Sequence, residues 1–441
     1  MPLIHHRIWH VSLRGIIGVG FFLMPMFAPH AHAAGAALTY SWQYHIFTVH
    51  PQDSWKSAHT LWLYQGKRAI PPARIQNLSK EELATQHAWE KREEEQWDLS
   101  AIEKTLRKSI SPEMEREKGS VTISRNASGS IVFEGMGLTG RSVDYAALAS
   151  LTVQALSQNI RSIVLPVKEI QPTVTVNDPS LVAMGIREVV SVGESSFAGS
   201  PENRRHNIRV GIDRFNGHII PQGTVFSFNE RLGPVNANTG YKRELVIQGA
   251  KTIPDFGGGL CQVSSTAYRG AWTMGLPITQ RRNHSYAVQY YSPAGSDATI
   301  YPPNVDLKFK NDSPGALLMQ TLVTKDDRAY FIYYGTKDDR SSEVFGPFIW
   351  ARVAAPKEEI ILKSTSVPVG TKKKVSERHD GLKAAWYRIV RAGNAPEIRE
   401  RVYSLYETRS LTFELGVEPE AILTASGAVT SDAPSWLPIS D

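Results

Sequence analysis

The stretch Asp255-Phe256-Gly257-Gly258-Gly259-Leu260-Cys261-Gln262-Val263-Ser264-Ser265-Thr266 decides how the rest of the chain is read. Three consecutive glycines leave no side chains to keep a ligand from the backbone. After them the pattern turns helical, with Val263, Ala267, Ala271 and Met274 recurring near helical spacing and Gly275 stopping the run. Cys261, the single cysteine of the chain, therefore falls in the first turn of a predicted helix. There the positive end of the helix dipole and unpaired backbone N–H groups favour a thiolate. A lone cysteine is more often a small buried apolar residue. Its position after three glycines turns the balance toward a nucleophile.

A thiol nucleophile needs a base, a group to orient that base, and donors for an oxyanion. Gly257, Gly258, Gly259 and Gln262 are the candidate donors around Cys261. His284, read at the start of a strand, is the candidate base, with His206 and His218 as competitors. Asp297, read at the start of another strand, can orient the imidazole, or can simply cap a turn. Arg281 and Arg282 can grip a carboxylate, although exposed arginines on a β surface often do little. Ser264 and Ser265 read as caps or packing residues. No His-x-x-x-His, cysteine pair or acidic cluster has metal-ligand spacing, and the glycine run lacks the later glycine or lysine of a phosphate loop. No metal and no cofactor are expected.

A chain of 441 residues is long enough for two or three domains, and 41% hydrophobic with 21% charged residues is a globular composition. Arg7 and Arg14 precede an apolar run over 15–27, and Ala31-His32-Ala33 follows with small residues where a signal peptidase reads. The reading is a cleaved export leader over 1–33. The run is broken by Pro25 and is shorter than the ~20 apolar residues of a membrane span. Membrane attachment is expected only if that leader is retained. Removing it lowers the formal charge from +6 to +4. A modest balance spread along the chain suits an anionic envelope and contains no nucleic-acid patch. An exported chain with one cysteine can form no internal disulfide, so its thiol stays free.

Taken in order, 34–72 is aromatic-rich with short strands, and 79–97 reads as a charged helix with a Ser79/Glu82 capping box. A second helix follows Asp98, carrying Ile102 and Leu106 on one face. Two strands flank the turn Asn126-Ala127-Ser128-Gly129, and a helix with Ser142 as N-cap leads to a strand over 163–167. A Ser/Gly-rich linker over 193–200 opens a mainly β region, in which strands are expected over 286–291 and 298–301. A hairpin is expected around Lys325-Asp326-Asp327, and further strands follow beyond 356.

Residues 195–335 resemble the VanW-like family. The resemblance is carried by Asn203-Arg204, Asn207-Ile208, Phe226-Ser227-Phe228-Asn229, Gly240-Tyr241, the glycine run through Ser264, Arg281 with His284-Ser285, Asp297-Ala298-Thr299, and Phe309 with Asn311. Gln222-Gly223-Thr224 and Gln280 depart from the family pattern. The run 99–176 resembles the peptidoglycan-binding domain 4 that commonly precedes VanW domains, on its Gly140-Arg141-Ser142-Val143-Asp144 entry and Leu165-Pro166-Val167 exit; a spacer domain is the alternative. The segment beyond 356 loosely resembles a G5 module.

Together these imply a multi-domain α+β chain whose central, mainly β domain carries a cysteine-bearing helix. Its parts are a leader (1–33), an N-terminal region (34–98), an α+β domain (99–176), the VanW-like domain (195–342), a G5-like domain (356–418) and a tail (419–441). Some VanW domains are associated with L,D-transpeptidase activity, in which a cysteine is acylated by a peptidoglycan stem peptide. The resemblance therefore implies a secreted or cell-wall protein with Cys261, His284 and Asp297 as catalytic residues. It implies Gly257, Gly258, Gly259, Gln262, Arg281 and Tyr241 as substrate-binding residues, and stem peptides as partners. A non-catalytic wall-binding or glycopeptide-resistance accessory module is the alternative, and an endopeptidase transferring the acyl group to water is a third.

Overall fold

The structure is a computed structural model that describes residues 36–86, 88–248 and 251–419. The predicted leader and nearly all of the predicted tail lie outside the described residues. The described residues from Ala37 onward belong to one compact unit. It is an α+β protein built from several small sheets, in keeping with the α+β, multi-domain expectation.

In the N-terminal module, Leu38–Trp42 pairs antiparallel with His45–Val49 and parallel with Ser162–Val164. The helices Leu99–Met114 and Tyr145–Ser157 cover this sheet, and Tyr40, Trp55, Ile102, Leu106, Leu148 and Ile163 are buried in a single cluster. The core thus joins residues on both sides of the boundary at 98. Two local expectations are corrected. The capping box at Ser79/Glu82 is present, but its helix is only Lys80–Ala84, and Trp89–Trp97 is a strand paired with Lys56–Tyr64. Cross-strand aromatic and charge pairs, such as Tyr64 with Trp89 and Lys56 with Glu95, override the helical propensity of the Glu and Lys residues. The N-cap of Tyr145–Ser157 is Asp144 rather than Ser142, its carboxylate accepting from the Ala147 amide at 2.9 Å.

The central domain holds a four-stranded antiparallel sheet, ordered Glu188–Ser196, Arg328–Gly335, Leu317–Val323, Ile219–Ile220. The expected linker over 193–200 is therefore corrected: its first half, 193–196, belongs to the first of these strands. Gly193 is there because a helix lies on it. An added Cβ would come 2.1 Å from the Thr266 carbonyl oxygen. Small residues let the Leu260–Thr273 helix sit directly on the strand. The Asn203-to-Ile208 segment is also helical, within Glu202–Asp213. A core of Phe215, Phe226, Phe228, Val263, Ala267, Trp272, Phe331 and Tyr333 holds these elements together. Burial of each such aliphatic or phenylalanine side chain contributes about 1.5–3 kcal/mol.

Beyond it, Arg340–Val353, Gly381–Ala392 and Ile398–Tyr406 form one antiparallel sheet, and Ile360–Ser364, Thr412–Gly416 and Lys372–Ser376 another. Trp386 of the first sheet is fully buried against Trp272, with ring centroids 5.5 Å apart, so the C-terminal module shares the central core.

Candidate functional site

Cys261 sits in the first turn of the Leu260–Thr273 helix, whose N-cap is Gly259 at φ +110°. That conformation suits glycine alone among common residues. No side chain caps the helix. The Leu260 and Gln262 amides bond to the carbonyls of Gly257 and Gly259, which leaves the Cys261 amide as the first-turn donor beside the thiol. The sulfur lies 3.4 Å from Thr299 Oγ1 and 3.8 Å from the Ile300 carbonyl oxygen.

The structure brings Cys261, His284 and Asp297 together, although not on strands. Residues 281–307 form an irregular loop rather than the expected strands. Part of it is stapled to the cysteine helix: Ser264 Oγ donates to the Ala298 carbonyl at 2.6 Å, and Ser265 Oγ accepts from the Ala298 amide at 3.0 Å. The two serines therefore act as packing residues that hold Asp297 to Ile300 alongside Cys261.

Asp297 is buried and saturated with donors. Its Oδ2 takes His284 Nδ1 at 2.6 Å and the His284 amide at 2.8 Å. Its Oδ1 takes Arg281 Nη2 at 3.1 Å and the Tyr406 hydroxyl at 2.6 Å. Burial raises its pKa, but the histidine and arginine outweigh this and hold the carboxyl well below the usual range. The His284 ring stacks on Tyr291 at 4.0 Å. With Nδ1 tied to Asp297, Nε2 is the nitrogen left for the thiol; it is buried and outside hydrogen-bond geometry to any partner.

The two groups are nonetheless close enough to shift each other. Burial pushes the imidazole down, yet Asp297 and Cys261 raise it to about 9. Burial pushes the thiol up, yet His284 brings it below its ordinary value. Both shifts favour an imidazolium–thiolate pair at neutral pH.

The pair opens on a cleft of about 660 Å³. Its walls are the Arg243–Gln248 and Lys251–Phe256 hairpin, the glycine run, the aromatic loop of Tyr286, Tyr290 and Tyr291, and Lys374 to Glu377 of the C-terminal module. Gly257, Gly258 and Gly259 line it. Three other expectations do not place in the cleft. Gln262 is buried, its side chain accepting from Arg204 and donating to the Ser196 carbonyl, so its amide group is not aimed at an oxyanion. Arg281 spends its guanidinium on Asp297, Gly295 and Ser404. Tyr241 is a core residue beside Leu260 and Ile208 in the same apolar cluster.

Sequence reasoning missed Arg204, Thr299, Tyr291 and Tyr406 as parts of the site. Arg204 and Thr299 stand in motifs already singled out, so the signal was present without a role attached. Tyr406 carries no local signal at all.

Among the described residues, no group of three or more His, Cys, Asp or Glu is placed to hold a metal ion. No helix among them is long and apolar enough to cross a membrane.

The fold and cleft define a multi-domain α+β protein with a half-buried cysteine and a buried histidine and aspartate assembled at a helix N-terminus. Residues 203–333 match the family described as VanW like protein, so the chain carries a VanW-like domain there. It is 35% identical over 124 residues to the uncharacterized protein YoaR of Bacillus subtilis, covering 28% of this chain and 41% of that protein. It is 32% identical over 131 residues to the vancomycin B-type resistance protein VanW of Enterococcus faecalis, covering 29% of this chain and 46% of that protein. The chain thus spans less than half the length of each of these relatives. No solved structure matches it.

Proposed function

We propose that the chain is an exported cell-wall protein whose VanW-like domain is a cysteine acyl transferase of the L,D-transpeptidase kind, acting on peptidoglycan stem peptides. The observation that carries this reading is the coupling of Cys261 at an uncapped helix N-terminus to an imidazole held by Asp297, at the floor of an open cleft. The sequence signs of export and the similarity to a vancomycin resistance protein are consistent with the cell envelope.

In the proposed reaction the Cys261 thiolate adds to the carbonyl carbon of an L,D peptide bond. The oxyanion forms beside the Cys261 amide and the Thr299 hydroxyl. The C–N bond then breaks, and the imidazolium of His284 gives its proton to the departing amine, leaving a thioester and neutral imidazole. A second amine attacks the thioester, its proton passes to His284, and the thiolate leaves as the new amide forms. Asp297 stays ionised throughout and keeps Nδ1 protonated.

A binding cleft without chemistry is favoured by one observation, the missing hydrogen bond at His284 Nε2. Catalytic hydrogen bonds often tighten only once substrate is present, so this does not weigh heavily. Mass spectrometry of the mature protein with tetrapeptide muropeptides separates the readings. An acyl adduct on Cys261 and cross-linked dimers, both lost in Cys261→Ala, are expected. Binding with no adduct in the wild type would remove the transferase reading, and an adduct released only as free acid would assign the acyl group to water.

A further inference from the structure

Arg204, on the Glu202–Asp213 helix, lines the cleft beside the nucleophile segment. Its Cγ lies 3.0 Å from where a Cβ on Gly259 would stand, and its Nη2 donates to Gln262 Oε1 at 3.0 Å. The two residues it touches thus bracket Leu260 and Cys261. The side chain is only 6% exposed. Its Nη1 donates to Ser200 Oγ at 2.7 Å, and its remaining polar partner is the Tyr291 hydroxyl; both are neutral groups. The guanidinium is covered by the Tyr290 ring, 4.1 Å to the centroid, and that ring itself lines the cleft and is 36% exposed.

A buried charge is ordinarily matched by an opposite one. Most buried arginines of this chain follow the rule: Arg116 and Arg141 meet Glu194, Arg281 meets Asp297, and Arg388 meets Glu400. Arg269 does not, but it does not line the cleft and gives five hydrogen bonds to carbonyls and a hydroxyl. Among the described residues no carboxylate lies within ion-pair distance of Arg204. The charges of the site do not supply one either. Cys261 and His284 are coupled to each other, and Asp297 already serves His284 and Arg281. The acids of the cleft wall have their own contacts: Glu244 with the Leu245 amide, Asp255 with the Phe256 amide, and Glu377 with Lys374. Arg204 is left as a desolvated cation at the cleft wall with only neutral partners.

We propose that Arg204 binds a carboxylate of the cleft's ligand, so that the acyl donor is a peptide whose scissile bond joins a terminal residue bearing a free α-carboxylate. This rests on the acyl-transfer reading above. The bond broken is the amide C–N bond of that terminal residue. The leaving group is then a free amino acid, its amine protonated by His284 and its carboxylate released from Arg204 with it. The planar guanidinium fork suits two-point recognition of a carboxylate, which a lysine ammonium cannot reproduce.

The test compares a tetrapeptide muropeptide as its free C-terminal acid with the same compound as its C-terminal carboxamide. Calorimetric binding to the Cys261→Ala protein is expected to favour the acid at least tenfold. Arg204→Gln should abolish the preference and Arg204→Lys should keep part of it, with thermal melts confirming that both variants fold. Equal binding of acid and amide to Cys261→Ala, a comparison that needs no Arg204 variant, overturns the carboxylate site. If the wild type also forms an adduct from either compound, acyl transfer stands without that site. Preferential binding of the acid with no adduct in the wild type overturns acyl transfer and leaves the carboxylate site intact. Binding of neither compound overturns both.

Discussion

Glu194, on the strand facing the N-terminal module, is held by Arg116, Arg141 and His45. Asp297, facing the C-terminal module, is held by Tyr406, Arg281 and His284. Both carboxylates are buried, and both join the central domain to a neighbour. At Glu194 the bonds are largely ionic: Oε1 has His45 and Arg141 each at 2.7 Å without directional hydrogen-bond geometry. At Asp297 every donor is directional, and one of them comes from the last strand of the C-terminal sheet. The same module also sends Ser404 to Arg281, takes the Asn283 side chain on the Leu405 carbonyl, and gives the Glu407 amide to the Ser285 carbonyl. One neighbour is bolted on by charge. The other completes the scaffold of the candidate site.

The two anchors should respond differently to pH: the buried carboxylate of each loses its contribution in acid, and only the second also loses one in alkali. His45 is pushed below its ordinary value first by burial, and Glu194 is held well below its own despite burial, by Arg141 and Arg116. Groups with depressed folded pKa values stabilise above the unfolded value and lose that contribution as pH falls. The N-terminal anchor therefore weakens in acid, beginning below the ordinary histidine range. His284 is raised to about 9, so its contribution is complete below its ordinary value and is lost as pH rises through about 9.

The largest expected effect is on the first anchor. Glu194→Gln leaves the buried Arg141 and the half-buried Arg116 without their carboxylate and should cost about 3–5 kcal/mol in denaturant unfolding. It should also flatten the acid side of the stability–pH curve while leaving the rate of Cys261 alkylation in the folded protein unchanged. A changed alkylation rate would mean that the two anchors are not separate. Next comes Tyr406→Phe, which removes one hydrogen bond to a charged group. It should lower the acylation turnover about tenfold with little change in KM. A loss confined to KM would make Tyr406 part of the binding wall instead. The smallest is Lys374→Ala at the cleft rim, where the ion pair with Glu377 is exposed. Turnover should stay within about twofold of wild type, since surface pairs contribute little; a larger loss would assign the outer sheet a direct part in binding.

Legibility in the sequence followed the range of the interaction. The cysteine helix, its glycine entry, the hairpin around Lys325-Asp326-Asp327 and the Ser79 capping box are set by neighbours a few residues apart, and they are found where the residues predict them. Residues 89–97 and 193–196 are strands against their local pattern, because strand pairing and a helix packed on Gly193 come from distant parts of the chain.

The site divides in the same way. The sequence by itself determined that a lone thiol would stand at a helix N-terminus beside three glycines, because dipole, cap and spacing are local. Only the tertiary structure decided which arginine faces the cleft, that Arg281 is consumed by Asp297, and that a tyrosine more than a hundred residues away completes the carboxylate's partners. Those assignments depend on desolvation and charge pairing among groups that only the folded chain brings together.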